Sequence, residues 1–106
     1  HRRCVIPAKG FYEWDSRREK FSYEREDGRT LFMAGCFNLY REQDCFVILT
    51  TEANPSVAPV HDRMPLILEP EEVESWVLDE RAAEFILHKT PALLKSSAKY
   101  EQLRLF

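Results

Sequence analysis

The stretch KFSYEREDGRTLFM, residues 20–33, carries the clearest fold signals in the chain. Apolar and polar side chains alternate in its first half, with Phe21 and Tyr23 on one face, and this period of two predicts a half-buried strand. The pair Asp27-Gly28 then predicts a tight hairpin turn, with residues 30–33 returning as the partner strand. The stretch therefore indicates an antiparallel sheet.

Further strand signals lie on both sides of this stretch. Towards the N-terminus, residues 3–7 and 11–14 are expected to form strands joined by a turn. Towards the C-terminus, Ala34-Gly35 allows a close approach or a bulge before the strand continues through residues 36–40. The β-branched and aromatic run at residues 45–51 predicts a central strand that is buried on both faces. The first half of the chain is therefore expected to be mostly sheet.

The second half of the chain contains the helix signals. Leu66-Ile67-Leu68 predicts one more short buried strand. Glu69-Pro70-Glu71-Glu72 fits the start of a helix, because proline and acidic side chains are both favoured in a first turn. A second helix is expected to begin at Asp79 or Glu80. The predicted class is α+β, mainly antiparallel sheet with one or two short C-terminal helices. The tail residues expected to dock on the core are Leu103, Leu105 and Phe106.

The composition is that of a globular chain. Of its 106 residues, 44% are hydrophobic and 31% are charged, which suits one small domain. The net charge of −3 argues against binding of nucleic acid by the whole surface, although it allows a local basic patch. The longest apolar run is too short to span a bilayer, and no secretory signal is visible. We therefore expect no membrane contact and a cytoplasmic location.

Three cysteines, Cys4, Cys36 and Cys45, lack the paired spacing of a metal site. Their odd number and the missing secretory signal favour a reducing compartment. None of the histidines has ligand spacing, so we predict buried thiols, no metal and no cofactor. A catalytic thiol at Cys4 is the alternative.

Two dense polar and aromatic groups stand inside apolar sequence, at residues 10–14 (GFYEW) and 61–65 (HDRMP). The carboxylate of Glu13 lies among aromatic rings, where it is costly to leave without a partner. An imidazole can act as acid or base near neutral pH, and prolines on both sides stiffen the segment that carries His61. Our hypothesis is that Glu13 and His61 meet in one catalytic site. The alternatives are a water-facing Glu13 and a salt-bridged surface loop around His61.

Other side chains suit contact with nucleic acid. The guanidinium groups of Arg2, Arg3 and Arg63 offer planar forks of donors for phosphate groups. Trp14 and its aromatic neighbours could stack on an unpaired base, or they could instead fill a small core. No P-loop, GxSxG, HExxH or Rossmann glycine pattern is present. Spacing alone therefore gives a candidate site without a reaction.

Four blocks of the sequence, in order, resemble the SRAP family, the SOS-response-associated peptidase proteins that protect abasic sites in DNA. The blocks are RCVIPAKGFYEW (3–14), MAG (33–35), FVILTTEAN (46–54) and HDRMPLIL (61–68). They span most of residues 3–78, and residues 100–106 are similar to the tail of a bacterial member. The resemblance implies an SRAP-like fold, here an incomplete barrel or sheet.

The resemblance also implies a reaction and a partner. In that family, self-removal of the initiator Met exposes an N-terminal cysteine, which reacts with the aldehyde of an abasic site in single-stranded DNA. Its amine and thiol close a thiazolidine ring and give a DNA–protein cross-link. By resemblance, Glu13 handles protons near that amine, His61 assists opening of the sugar ring, and Trp14, Arg63 and Thr50 lie near the DNA. A location at the nucleoid during repair is implied as well.

The family's opening Met-Cys-Gly-Arg and its Asn-Ala-Arg-x-Glu-Thr block do not occur in this sequence. We therefore expect residues 1–106 to form a single partial SRAP domain that lacks the N-terminal segment. Cys4 belongs to the first matching block and is not the family's nucleophile, so the chain by itself is expected to be inactive. Unpaired strands and apolar surface would favour self-association.

Two other functions stay open at this point. The first is a non-catalytic module that grips single-stranded DNA through Arg2, Arg3, Arg63 and Trp14. The second is a cysteine hydrolase that uses Cys4 with His61.

Overall fold

The computed structural model describes residues 2–40 and 43–98. Within these ranges the chain forms nine strands and two α-helices, which confirms the predicted α+β class. The strands are β1 (Arg2–Ala8), β2 (Phe11–Trp14), β3 (Lys20–Arg25), β4 (Leu31–Tyr40), β5 (Gln43–Ile48), β6 (Thr50–Glu52), β7 (Arg63–Pro65), β8 (Ile67–Leu68) and β9 (Leu94–Ala98). The helices are α1 (Val73–Leu78), which follows a 3-10 turn at Pro70–Glu72, and α2 (Glu80–Leu87).

The described strands form three antiparallel sheets. In the largest, β4 is the central strand: β1 pairs with it from Arg2↔Phe37 to Ala8↔Leu31, while β5 and β8 pair along its other edge. The second sheet has the order β2-β3-β9, and β6 pairs with β7 in the third. Glu13 lies in β2 of the second sheet, and His61 lies two residues before β7 of the third.

The turn predicted at Asp27-Gly28 is present, but its two flanking strands do not pair. Gly28 has a φ of +73° and its N–H donates to the Arg25 carbonyl at 3.0 Å. Strand β3 pairs with β2 and β9, whereas β4 pairs with β1, β5 and β8. The hairpin prediction was therefore wrong about the partner, because β1 and β8 already cover both edges of residues 31–33.

The run at residues 45–51 is also placed differently from the prediction. It is divided between β5 and β6, and Phe46 and Val47 on β5 are 61% and 62% exposed. Among the described strands, β5 pairs with β4 alone. The prediction of a central buried strand was wrong, because an apolar run does not reveal whether another strand lies beyond it.

Two glycines allow close contact between strands. A side-chain carbon added to Gly10 would lie 2.4 Å from the carbonyl oxygen of Tyr23. One added to Gly35 would lie 2.5 Å from Cδ1 of Ile6 and 2.9 Å from the carbonyl oxygen of Val47. The close approach predicted at Ala34-Gly35 is thus confirmed, and Gly10 brings the start of β2 against β3.

The helices pack on the largest sheet through a buried tryptophan. Trp76 of α1 is 1% exposed and its indole N–H donates to the carbonyl of Cys4 at 2.9 Å. The carboxylate of Asp79 accepts the N–H groups of Arg81 and Ala82, which fixes the start of α2 where the sequence predicted it. Neither described helix has the length and apolarity needed to span a bilayer. The tail residues Leu103, Leu105 and Phe106 lie outside the described residues.

Candidate active site

Strand β2 divides its side chains between the core and the surface. In the ladder with β3, Phe11 pairs with Tyr23 and Glu13 with Phe21, and the rings of Phe11 and Tyr23 stack with centroids 5.1 Å apart. Glu13 shares this inner face, and its side chain stays 25% exposed at the margin of the core. The strand predicted for residues 11–14 is therefore confirmed, with Phe11 and Glu13 on its inner face.

His61 lies at the end of a compact turn formed by residues 54–61. The His61 N–H donates to the Val57 carbonyl at 3.0 Å, and Val57 N–H donates to Asn54 at the same distance. The buried Asn54 amide donates to the carbonyls of Pro91 and Ala92 at 3.0 and 2.9 Å. The turn is thus held by Asn54, which sequence reasoning missed because an Asn-Pro pair predicts only a break in structure.

The structure brings Glu13 and His61 together. Nε2 of His61 lies 3.9 Å from Oε1 of Glu13, and the His61 side chain is 41% exposed. Glu13 lies in β2 and His61 lies two residues before β7, so the fold brings together residues that are 48 positions apart in sequence, as the hypothesis of a shared site expected. Their catalytic roles stay predictions.

The surroundings of His61 suit both protonation states of the imidazole. Nδ1 lies 3.2 Å from both the N–H and the carbonyl oxygen of Arg63, so it has a partner whether it accepts or donates, and Nε2 is the nitrogen that faces Glu13. When the ring is doubly protonated, Nδ1–H has the Arg63 carbonyl at 3.2 Å and the Asp62 carboxylate at 3.5 Å as acceptors. The site can therefore give and take a proton at Nε2 while Nδ1 keeps a partner.

Arg63 and Thr50 form a second polar contact close to His61. Nη2 of Arg63 donates to the carbonyl and the hydroxyl oxygen of Thr50 at 2.9 and 3.1 Å. Both side chains are exposed, and strands β6 and β7 hold them in register. The structure thus brings these two predicted DNA contacts together.

The opposite face of β2 is an exposed aromatic surface. Trp14 and Tyr12 are 50% and 58% exposed. The ammonium of Lys20 on β3 lies 3.9 Å from the centre of the Tyr12 ring and 5.9 Å from that of Trp14. Lys20 was missed by sequence reasoning, although its alternation with Phe21 could have placed it on the face of Trp14.

Arg2 and Arg3 are not brought to Glu13 and His61. Nε of Arg3 donates to the carbonyl of Trp76, and the guanidinium carbon lies 5.9 Å from the centre of the Trp76 ring. Arg2 lies over Phe37, with 5.8 Å between the guanidinium carbon and the ring centre, in the groove between β4 and β5. Arg3 therefore joins β1 to α1, and Arg2 belongs to a different surface.

Cys4 is a poor candidate for a nucleophile. It lies half-buried in β1 opposite Gly35. Burial and the neighbouring Cys36 thiol raise the pKa of the Cys4 thiol, which disfavours the reactive thiolate. Within residues 2–40 and 43–98, no three His, Cys, Asp or Glu side chains converge on one point; that the protein works without a metal stays a prediction.

Tyr23 is the third residue that sequence reasoning missed, after Asn54 and Lys20. It is completely buried, and its hydroxyl has no hydrogen-bond partner among the described residues. Burial, and secondly the negative charge of Glu13, raise the pKa of Tyr23. Its position in an alternating strand predicted only an apolar core residue.

Known proteins match this chain by sequence and by structure. A sequence model for the SOS response associated peptidase (SRAP) family matches residues 1–104. The abasic site processing protein YedK of Escherichia coli is 34% identical over 87 residues, which cover 76% of this chain and 39% of YedK. The abasic site processing protein YMR114C of Saccharomyces cerevisiae is 32% identical over 71% of this chain and 22% of its own length.

A similar fold occurs in a solved structure. A crystal structure of a Bordetella bronchiseptica protein superposes with a TM-score of 0.81 and 28% identity, over 92% of this chain and 54% of that protein. The chain thus spans about half of this structure. It spans 39% of YedK and 22% of YMR114C.

Proposed function

The chain belongs to the SOS response associated peptidase (SRAP) family, and on this premise we propose that it supplies Glu13 and His61 to the processing of abasic sites in DNA. The observation that carries the proposal is the approach of Nε2 of His61 to within 3.9 Å of Oε1 of Glu13. A carboxylate and an imidazole that share one site can each accept a proton from, or donate one to, a reacting group placed between them. The names of the relatives indicate an abasic site as the substrate.

The reaction that we propose for the whole protein is formation of a thiazolidine. The α-amine of an N-terminal cysteine adds to the C1′ aldehyde of the ring-opened sugar, and one water leaves as the imine forms. The thiol then adds to the same carbon, with its proton passing to the nitrogen, and closes the ring. Glu13 takes the proton that the ammonium must lose before attack. His61 moves a proton to the ring oxygen of the sugar when the ring opens.

The attacking cysteine is not Cys4 in this proposal. The nitrogen of Cys4 is a peptide amide, so it cannot form the imine, and its thiol is half-buried in β1. The nucleophile then belongs to a longer form of the protein that begins Met-Cys. Self-removal of that Met, the peptidase activity, is proposed for the same Glu13–His61 pair.

We propose that the DNA is single-stranded. Trp14 exposes half of its surface, and an unpaired base can stack on such a ring, whereas a base within a duplex cannot. Lys20 beside Trp14 and Arg63 beside Thr50 supply positive charge for the phosphates. Action on DNA in a bacterial cell would place the protein in the cytoplasm and at the nucleoid during repair.

We also propose that the chain self-associates when it is alone. Phe46, Val47 and Ile48 of β5 are 61%, 62% and 39% exposed. Among the described strands, β5 has β4 as its single partner, so one side of this apolar strand can pair with another chain.

A denaturing gel with a single-stranded oligonucleotide that carries one abasic site tests the proposal. A longer form that begins Met-Cys is expected to give a heat-stable shifted band. Glu13→Gln and His61→Ala should each slow its formation by about 10²-fold or more. The matched controls are Glu24→Gln and His88→Ala, which change an exposed carboxylate and an exposed imidazole elsewhere.

The outcomes separate the rival functions. Unchanged rates in both Glu13→Gln and His61→Ala would remove the site assignment. A heat-stable band from residues 1–106 alone would make Cys4 the nucleophile and overturn our account of the reaction. Salt-dependent binding without any covalent product, even from the longer form, would favour a non-catalytic DNA-binding module instead.

A further inference from the structure

The hydroxyl of Tyr23 is a buried polar group that has no partner in the part of the chain the structure describes. Tyr23 is 0% exposed, and no acceptor or donor among the described residues reaches its oxygen. A phenylalanine would fill the same space without this unmet hydrogen bond, which costs about 1–3 kcal/mol. Packing alone therefore does not account for a tyrosine at this position.

Glu13 is a charged neighbour of Tyr23 on the same face of the sheet. Tyr23 lies directly opposite Phe11, so Glu13, two residues further along β2, is its diagonal neighbour on the same face. Aromatic and long side chains reach each other across such a diagonal. The negative charge of Glu13 also contributes to the raised pKa of Tyr23, so the phenol keeps its proton and stays a hydrogen-bond donor near neutral pH.

Tyr23 also shares a buried cluster with the turn that carries His61. The cluster contains Val57, and Val60 packs against it. The His61 N–H donates to the Val57 carbonyl, so the backbone of His61 is anchored to a residue of this cluster. Tyr23 therefore belongs to the part of the core that contacts both β2 and the His61 turn.

We propose that Tyr23 is a positioning residue, whose hydroxyl donates a hydrogen bond to the carboxylate of Glu13 when abasic DNA occupies the site. The proposal rests on the function proposed above for Glu13 and His61. In the free protein, Oε1 of Glu13 faces the Trp14 N–H at 3.4 Å and Nε2 of His61 at 3.9 Å, both of them long contacts. A hydrogen bond from the Tyr23 hydroxyl would hold the Glu13 carboxylate against His61. It would also favour the charged form of the carboxylate, which accepts the proton of the amine.

The test compares Tyr23→Phe in the longer form with Tyr23→Phe in a Glu13→Gln background. Tyr23→Phe is expected to slow cross-linking about tenfold, the effect of losing a hydrogen bond to a charged group. In the Glu13→Gln background the same change should have no further effect, because the acceptor is no longer a carboxylate. The thermal unfolding midpoint of Tyr23→Phe should stay the same or rise.

The pH dependence gives a readout that a purely structural role would not move. The groups around Glu13 that titrate or carry charge are Tyr23 from β3 and His61, with Asp62 beside it, from the segment before β7. Removing the donor disfavours the charged carboxylate, so the acidic limb of the rate profile should move to higher pH in Tyr23→Phe. The acidic limb of the rate profile should lie at the same pH in Glu13→Gln and in the double variant Glu13→Gln/Tyr23→Phe.

Absorbance titration of residues 1–106 tests, without catalysis, whether Tyr23 and Glu13 lie close enough to interact, which the proposed contact requires. The difference between the wild-type chain and Tyr23→Phe isolates the ionisation of Tyr23. Glu13→Gln should lower the pKa of Tyr23, because it removes the negative charge that disfavours the phenolate. An unchanged value would overturn the proposed contact.

The remaining outcomes also decide the question. If Tyr23→Phe leaves the rate unchanged, slows Glu13→Gln equally, or lowers the unfolding midpoint, Tyr23 does not act through Glu13 and the inference is wrong. If Glu13→Gln itself cross-links at the normal rate, the function proposed above fails instead. The two failures are therefore distinguishable.

Discussion

Two exposed side chains, Trp14 and Arg63, would make different interactions in the proposed complex with DNA. Trp14 has an exposed ring on which a base could stack, and Arg63 has a charge that is held beside Thr50. Trp14→Ala should weaken binding of a single-stranded oligonucleotide by about 1–3 kcal/mol without changing its salt dependence. Arg63→Gln should weaken binding and also reduce the slope of log K against log salt by about 0.7. Fluorescence anisotropy over a series of salt concentrations measures both effects.

Matched controls lie on the helical side of the molecule. Phe85 is 83% exposed on α2 and Arg81 is exposed at the start of the same helix. Phe85→Ala and Arg81→Gln should leave both affinity and slope at the wild-type values. An equal loss in Phe85→Ala and Trp14→Ala would mean that the aromatic face of β2 is not the DNA surface.

At the level of single residues, the sequence identified Glu13 and His61 but not the residues that hold them in place. Glu13 and His61 stood out because ionisable groups inside apolar sequence need partners. Tyr23 and Asn54 did not stand out, because their importance depends on contacts across sheets. Whether a buried hydroxyl has a partner, or which carbonyls an amide reaches, is decided only when distant segments meet.

At the level of elements, Gly10 controls how β2 meets β3. Gly10→Ala should destabilise the fold by about 1–3 kcal/mol, because its new methyl group would lie 2.4 Å from the backbone oxygen of Tyr23. Gly28→Ala is the control: Gly28 has a φ of +73° but open space around it, so only the backbone cost of about 1 kcal/mol is expected. Denaturant unfolding measures both changes. An unchanged stability of Gly10→Ala would show that the close approach at Gly10 carries no cost.

Local signals located the elements better than their partners. The turn at Asp27-Gly28 and the start of α2 at Asp79 depend on neighbouring residues, and the sequence predicted both. The pairing of β3 with β9 and the exposure of β5 depend on competition between distant strands. A hairpin signal predicts where the chain turns, but it does not exclude that each flanking strand pairs with a more distant strand.

At the level of the whole molecule, the exposed strand β5 predicts association between chains. Val47→Lys places a charge in the middle of this strand and should shift sedimentation velocity profiles towards monomer at concentrations where the unchanged chain associates. Leu78→Lys is the control, because Leu78 is an exposed apolar residue, 73% accessible, on α1. A wild-type chain that sediments as a monomer at all concentrations would contradict the prediction, and equal effects of the two variants would assign association to apolar surface in general.

The order of pairing in the sheet β2-β3-β9 has a consequence for the synthesis of the protein. Ser22 of β3 and Ser97 of β9 are joined through their hydroxyl oxygens, 2.9 Å apart, although they are 75 residues apart in sequence. Closing so long a loop is entropically costly, and contacts of this kind form late in folding. Strand β9 leaves the ribosome after both Glu13 and His61 have emerged. A nascent chain therefore exposes Glu13 before the sheet β2-β3-β9 that contains it is complete.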